Sequence, residues 1–303
     1  MALHGLDTGG APAADKAKAM LDEIDGSWWN VYMGGPRSGG SDWTPARVKD
    51  YVDHGIRRFI LTYVGRQILL NIPHPVDDTH LLTKAQGRND GDEACQIAAD
   101  FGYSARGTPI CLDLEGETFE RARQRAVDYV RGWCGAVRDH GLRPGVYSNI
   151  PALIALQDDG PDWIWVAKWI TNKVDPDVDP HAIPDLDRNV FPNAGQRAWQ
   201  YAGEFKKDKP AVVGGLRVDI SVADADCLAQ APGIIPEEEL SMADAGDILS
   251  FLQEMKQEMV VFGTTGLEKT VEDFATRQRQ ALAKLDQLDT RLTKIEQHLN
   301  MPG

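Results

Sequence analysis

Residues Pro109–Glu117 read PICLDLEGE. Ile110, Leu112 and Leu114 are apolar and Cys111 is small, so the run reads as a buried strand, yet it carries Asp113 and Glu115. Side chains two positions apart on a strand point to the same side. Burying two carboxylates close together costs more than burying one. The acids therefore need a face that is not dry core, and the mouth of a barrel, where strands end and loops begin, supplies one.

Other short apolar runs of this kind are spaced along the chain: Ala2–Asp7, Trp28–Met33, Arg58–Val64, Arg143–Ser148, Trp163–Trp169, Arg197–Tyr201 and Leu216–Ile220. With Pro109–Glu115 they make eight candidate strands. Helical patterns fall at Ala13–Ile24, Pro45–His54, Gly91–Tyr103 and Thr118–His140. This alternation predicts an α/β fold with a mainly parallel sheet. Eight strands before residue 231 fit a (β/α)8 TIM-like barrel with irregular or missing helices, and an open doubly wound sheet is the rival. No glycine-rich phosphate loop follows a strand, so nucleotide binding has no support.

A formal charge of −14 argues against nucleic acid or anionic lipid as partner. No run approaches the ~20 apolar residues of a membrane span, and MALHGLDTGG lacks the basic and apolar regions of a secretory signal. Cys95, Cys111, Cys134 and Cys227 form no CxxC pair and read as small buried hydrophobes. A DxE on a strand could bind a divalent cation, but no further acid or histidine lies near it at ligand spacing, so neither metal nor cofactor is expected.

The chain changes character near Pro232. QAPGIIPEEE reads as a linker, which divides the chain into a barrel domain (1–231), a linker (232–239) and a helical segment (240–303). In the last, apolar residues step by four and three: Ile248, Leu252, Met255, Met259, Phe262, and then Leu267, Val271, Phe274, Ala281, Leu285, Leu288, Leu292, Ile295 and Leu299, with Gln278 as the polar core position of the second series. The second series is an unbroken heptad register, the pattern of a coiled coil. It predicts a homo-oligomer through residues 267–299, with a trimer favoured because Leu and Ile fill the seam.

Acids and aromatics recur at the predicted strand ends. Asp7 closes the first strand, Asp113 and Glu115 the fourth, and Asp219 lies on the eighth. Tyr63, Tyr147, Trp169, Gln200 and Tyr201 sit near the ends of the third, fifth, sixth and seventh. Glycoside cleavage needs a proton donor for the leaving oxygen and a negative group for the oxocarbenium-like state, and crowded carboxylates hold a proton near neutral pH. Aromatic rings offer flat faces to sugars. Taken singly, a strand-end Asp is more often a cap or loop acceptor, and Trp163, Trp165 and Trp169, which share one strand face, are more often packing.

The motifs GLD, DLE, GVYS, WVAKW, WQY and VDIS, in this order, resemble glycoside hydrolase family 25, the Chalaropsis-type muramidases. GLDTGGAPA, WNVYMGGP and ILTYVGRQ in the opening half resemble a sister group, the glycoside-hydrolase-like domain of unknown function 1906. The resemblance spans residues 3 to 230. It implies a barrel that cleaves the β-1,4 bond after N-acetylmuramic acid in peptidoglycan. By motif, Glu115 would be the general acid and Asp113 would stabilise the charged intermediate or orient the N-acetyl group. Asp7 and Asp219 would line the cleft, and Tyr147, Trp169 and Gln200 would contact substrate. NIPHPVDDTHLLTKAQGRNDGDEA (71–94) departs from the muramidase pattern, and the acidic NKVDPDVDPHAIPDLDRNVFPNAG (172–195) reads as a cleft cover or a partner surface.

A muralytic barrel joined to heptads suggests a virion component, a bacteriophage tail protein that meets the host wall alongside other tail proteins. A binding module that keeps the rim without turnover is the second reading. Sedimentation equilibrium of the full chain is expected to return a trimer; a monomer at micromolar concentration would remove the coiled-coil expectation.

Overall fold

The computed structural model describes residues 2–231, apart from 39–41, 71–74, 157–159, 188, 192–195 and 205–208. The predicted linker and heptads lie outside the described residues. Eight strands form the wall of a closed barrel: β1 (Leu3–Asp7), β2 (Trp28–Gly34), β3 (Arg58–Val64), β4 (Pro109–Asp113), β5 (Arg143–Ser148), β6 (Trp163–Thr171), β7 (Arg197–Ala202) and β8 (Leu216–Ala223). Neighbours from β1 to β7 run parallel, and β8 closes the circle between β7 and β1. Helices α1 (Ala14–Glu23), α2 (Pro45–Asp53), α3 (Lys84–Asp100), α4 (Gly116–Asp139) and α5 (Ile150–Leu156) connect the first six strands.

The expected parallel arrangement is corrected at β8, which runs antiparallel to both neighbours. Parallel neighbours need a crossover, usually a helix. Here the described residues between β7 and β8 hold instead a short strand, Ala211–Val213, and a two-residue turn, Gly214–Gly215, with Val213 opposite Leu216. Both glycines have positive φ, as a tight hairpin turn requires. The chain thus re-enters the barrel from the rim it had just left.

Two boundaries also move. Helix α3 starts at Lys84 rather than Gly91, capped by the Thr83 hydroxyl on Gln86 N–H. Glycines let α3 and α4 approach closely: a Cβ on Gly87 would lie 2.0 Å from Tyr129 O, and one on Gly132 would lie 2.1 Å from Lys84 O. Helix α5 has no counterpart in the sequence reading. Its single buried turn, Ala152, Leu153 and Leu156, is too short to show a period.

Alternation along each strand builds two cores. Outward residues such as Leu6, Trp29, Phe59, Leu61, Leu112, Val146 and Val222 pack under the helices. Inward residues Trp28, Ile60, Cys111, Trp163, Trp165, Ala198 and Ala223 fill the lower barrel, joined by Cys227 and Leu228. All four cysteines are buried. The large rings fit because glycines face them. A Cβ on Gly5 would lie 2.1 Å from the Trp28 ring, and one on Gly145 would lie 2.0 Å from Trp163. The indoles are tethered, Trp28 Nε1 to Leu3 O at 2.7 Å and Trp165 Nε1 to Ser221 Oγ at 3.2 Å.

This packing predicts that Gly145→Ala destabilises the barrel by about 3 kcal/mol or more, the upper range for overpacking. Pairing it with Trp163→Phe should recover part of the loss. Urea titration of the single and double variants checks both; a single variant within error of wild type would show that Trp163 is not wedged against that glycine.

Candidate active site

Above the tryptophan floor the inward positions turn polar. On β1 and β2, Asp7 Oδ2 accepts from Tyr32 OH at 2.8 Å and Oδ1 from Asn30 Nδ2 at 3.2 Å; Thr62 of β3 donates to Asn30 Oδ1 at 2.6 Å. Asn30, Thr62 and Asp7 are buried. Asp219 is the register partner of Asp7 across β1 and β8. Its place at the rim was expected from a strand running upward; it arises from one running down, whose early residues lie beside the ends of its neighbours.

Asp113 ends β4 level with Tyr147 on β5. The chain stays extended through Glu115, which precedes the first turn of α4. Three hydrogen bonds fix this exit: Leu114 N–H to Tyr147 O at 3.2 Å, Ser148 Oγ to Leu114 O at 2.7 Å, and Glu115 N–H to Gln67 Oε1 at 3.1 Å. Gln67 is itself held by Asp78, which accepts from Gln67 N–H at 3.1 Å and is paired with Arg37. The segment that departs from the muramidase pattern thus supplies Asp78, and through it braces the Glu115 backbone.

The acids are close enough to repel one another. Burial raises all four carboxyls. Asp113 is raised well above its usual range, by burial first and then by Glu115 and Asp7, and its Oδ1 is buried without a hydrogen-bond partner among the described residues. Asp7 is raised by burial against the lowering effect of its donors Tyr32 and Asn30. Asp219 is pushed up to about 7 by burial, with Asp7 and Glu115 adding to it. Among the described residues no Lys or Arg forms an ion pair with any of these four. The arrangement can hold a proton near neutral pH beside a carboxylate. Among the described residues, no group of three or more His, Cys, Asp or Glu is arranged to hold a metal ion.

Tyr147, Gln200 and Trp169 join the acids. Gln200 Oε1 accepts from Tyr147 OH at 2.8 Å and from Trp169 Nε1 at 3.1 Å, and Tyr147 packs edge-on against Trp165 at 4.9 Å. Trp169 is 40% exposed, unlike the fully packed Trp163 and Trp165 on the same strand face. Tyr63 and Tyr201 do not join. Both are buried in the outer core, with Tyr63 OH on Glu93 of α3 at 2.7 Å and Tyr201 OH accepting Asp175 N–H at 3.3 Å. They follow the outward alternation of β3 and β7. Asn30, Tyr32, Thr62 and Gln67 are neighbours of the acids that the sequence reading did not single out, although all four stand in the motifs WNVYMGGP and ILTYVGRQ.

A closed mixed α/β barrel with carboxylates at its mouth is the architecture of a glycoside-hydrolase-like domain. The chain belongs to that class by sequence as well: the family model described as "Rv2525c-like, glycoside hydrolase-like domain" matches residues 28–223. No curated protein matches. Among solved structures, an uncharacterized protein of B. stearothermophilus is 16% identical with a TM-score of 0.49, over 75% of this chain and 99% of that one. A variant of NCR from Zymomonas mobilis is 14% identical with a TM-score of 0.33, over 62% of this chain and 70% of that one. No helix among the described residues is long and apolar enough to cross a membrane.

The raised pKa of Asp219 fixes the sign of a stability effect. Between its unfolded value, about 3.9, and about 7 in the fold, the folded chain binds more protons than the unfolded one. Stability therefore falls as pH rises through that window, and the penalty is complete above it. Asp219→Asn removes the penalty. Its melting temperature is expected to exceed wild type at pH 8, with the gap shrinking toward pH 4; an equal gap at both pH values would contradict the assignment.

Proposed function

We propose that this barrel is a glycosidase acting on peptidoglycan, with Glu115 as general acid. The observation that carries the reading is the convergence of Asp7, Asp113, Glu115 and Asp219 on one mouth with no cation among the described residues paired to them. The family description supports a glycan-related function. The choice of peptidoglycan rests on the muramidase-like motifs.

In this reading the glycan lies across the mouth with Trp169 beneath a sugar ring. The Asp113–Glu115 pair retains a proton because burial and mutual repulsion disfavour two charges. Glu115 delivers that proton to the glycosidic oxygen as the bond to the anomeric carbon breaks, and the leaving sugar departs as an alcohol. The positive charge that develops at the anomeric carbon is stabilised by the carboxylates left behind. Asp7, held by Tyr32 and Asn30, is the acid best supplied with donors to its charged form. Water then adds to the anomeric carbon, and the proton it gives up returns to the carboxylates, restoring the acid. Assembly through residues 267–299, and a place in a phage tail that meets the host wall, remain parts of the proposal that rest on the heptads and the motif order.

Reducing-sugar release from purified peptidoglycan tests it. Glu115→Gln keeps the shape and removes the proton, so the rate should fall at least ~10²-fold. Wild-type activity should decline at alkaline pH as the pair loses its proton. A folded wild type that binds the glycan without releasing sugar would establish a binding module in place of an enzyme.

A further inference from the structure

Thr62, Asn30 and Asp7 form a buried row of three on β3, β2 and β1. Thr62 Oγ1 donates to Asn30 Oδ1 at 2.6 Å, and Asn30 Nδ2 donates to Asp7 Oδ1 at 3.2 Å. The Thr62 hydroxyl has no other hydrogen bond among the described residues.

The row has a direction. A carboxylate only accepts, so a charged Asp7 needs the NH2 group of Asn30 facing it. The Asn30 oxygen then faces Thr62, and the hydroxyl donates to it. In the reversed arrangement a protonated Asp7 would donate to the Asn30 oxygen, and the NH2 group would donate to Thr62. The Thr62 hydrogen would then be buried with no acceptor among the described residues. Leaving a buried donor unmatched costs more than an ordinary hydrogen bond returns. The hydroxyl therefore selects the orientation of Asn30 that suits a charged Asp7.

The other groups that face Asp7 supply no charge of opposite sign. They are Tyr32 on β2, Asp113 on β4, Tyr147 on β5 and Asp219 on β8, with Glu115 acting on the last three. Tyr32 OH donates to the second Asp7 oxygen at 2.8 Å, so neutral donors hold both oxygens.

Resting on the glycosidase reading above, we infer that Thr62 is a positioning residue: through Asn30 it keeps Asp7 the charged carboxyl of the mouth, which leaves the proton used in cleavage to the Asp113–Glu115 pair.

Carbon-13 NMR of the full chain, labelled at the aspartate carboxyl carbons, tests this, with Asp7→Asn identifying the Asp7 signal. Thr62→Val keeps the shape and removes the hydroxyl, so Asn30 is released and the Asp7 titration midpoint should rise by about one pH unit. Thr62→Ser keeps the hydroxyl and should titrate as wild type. Asn30→Leu should raise the midpoint at least as far as Thr62→Val. The double variant should match Asn30→Leu, because Thr62 acts through Asn30. It also removes both partners of the buried bond together, which serves if Thr62→Val alone does not fold. A merely structural role would lower the melting temperature without moving the midpoint of one carboxyl. An unchanged midpoint in Thr62→Val, a Thr62→Ser midpoint as high as that of Thr62→Val, or a double variant at the wild-type midpoint or above Asn30→Leu each overturns the inference. The titration needs no turnover. Sugar release by the same wild-type preparation tests the glycosidase reading separately, and its absence beside the expected midpoints would remove the cleavage while leaving Thr62 its hold on Asp7.

Discussion

Crowding negative charge into a space with few routes to water is the constraint on which the upper half of this barrel depends. Burial raises the proton affinity of Asp7, Asp113, Glu115 and Asp219, neighbouring acids add to it at Asp113 and Asp219, and the donors Tyr32 and Asn30 oppose it at Asp7. A lysine or arginine paired with any of them would relax the repulsion and discharge the site. The floor maintains the condition. Trp28, Trp163 and Trp165 fill the barrel from below and keep water out of its lower half. Gly5 and Gly145 are small so that these rings can sit there. The polar top and the packed bottom are successive inward positions of the same strands.

Much of this was legible in the chain. Each of the eight strands was visible because its apolar run was bounded by turn residues, and the acids stood out because they broke an apolar pattern at its end. What escaped has physical causes. Alternation reports that two faces differ but not which one is inside. Tyr63 and Tyr201 therefore looked equivalent to Tyr147, although they pack beneath helices. The first turns of α3, from Lys84, were missed because the backbone that packs on Gly87 and Gly91, around Tyr129 and Trp133, is some forty residues away in sequence. The direction of β8 was encoded by Gly214–Gly215, a two-residue hairpin signal flanked by Val213 and Leu216.

The brace around Glu115 shows how a site borrows rigidity from outside its motif. The DLE triplet supplies the two carboxylates, but the angle at which Glu115 leaves the strand is set by Gln67, and Gln67 is set by Asp78 and Arg37 from two other loops. Long-range supports of this kind leave no local signature, since each residue alone reads as an ordinary loop polar group.

The reversal of β8 has a topological consequence. In a barrel of eight parallel strands the last strand would deliver the chain to the catalytic rim. Here it delivers the chain to the opposite end: Ala223 pairs with Leu3 at the start of β1, Ala229 and Gln230 pair with Phe59 and Arg58 at the start of β3, and Ala231 N–H reaches Arg57 O at 2.8 Å. Both ends of the described chain are therefore anchored at the closed pole of the barrel. Neither of these two ends lies at the pole that holds the four carboxyls.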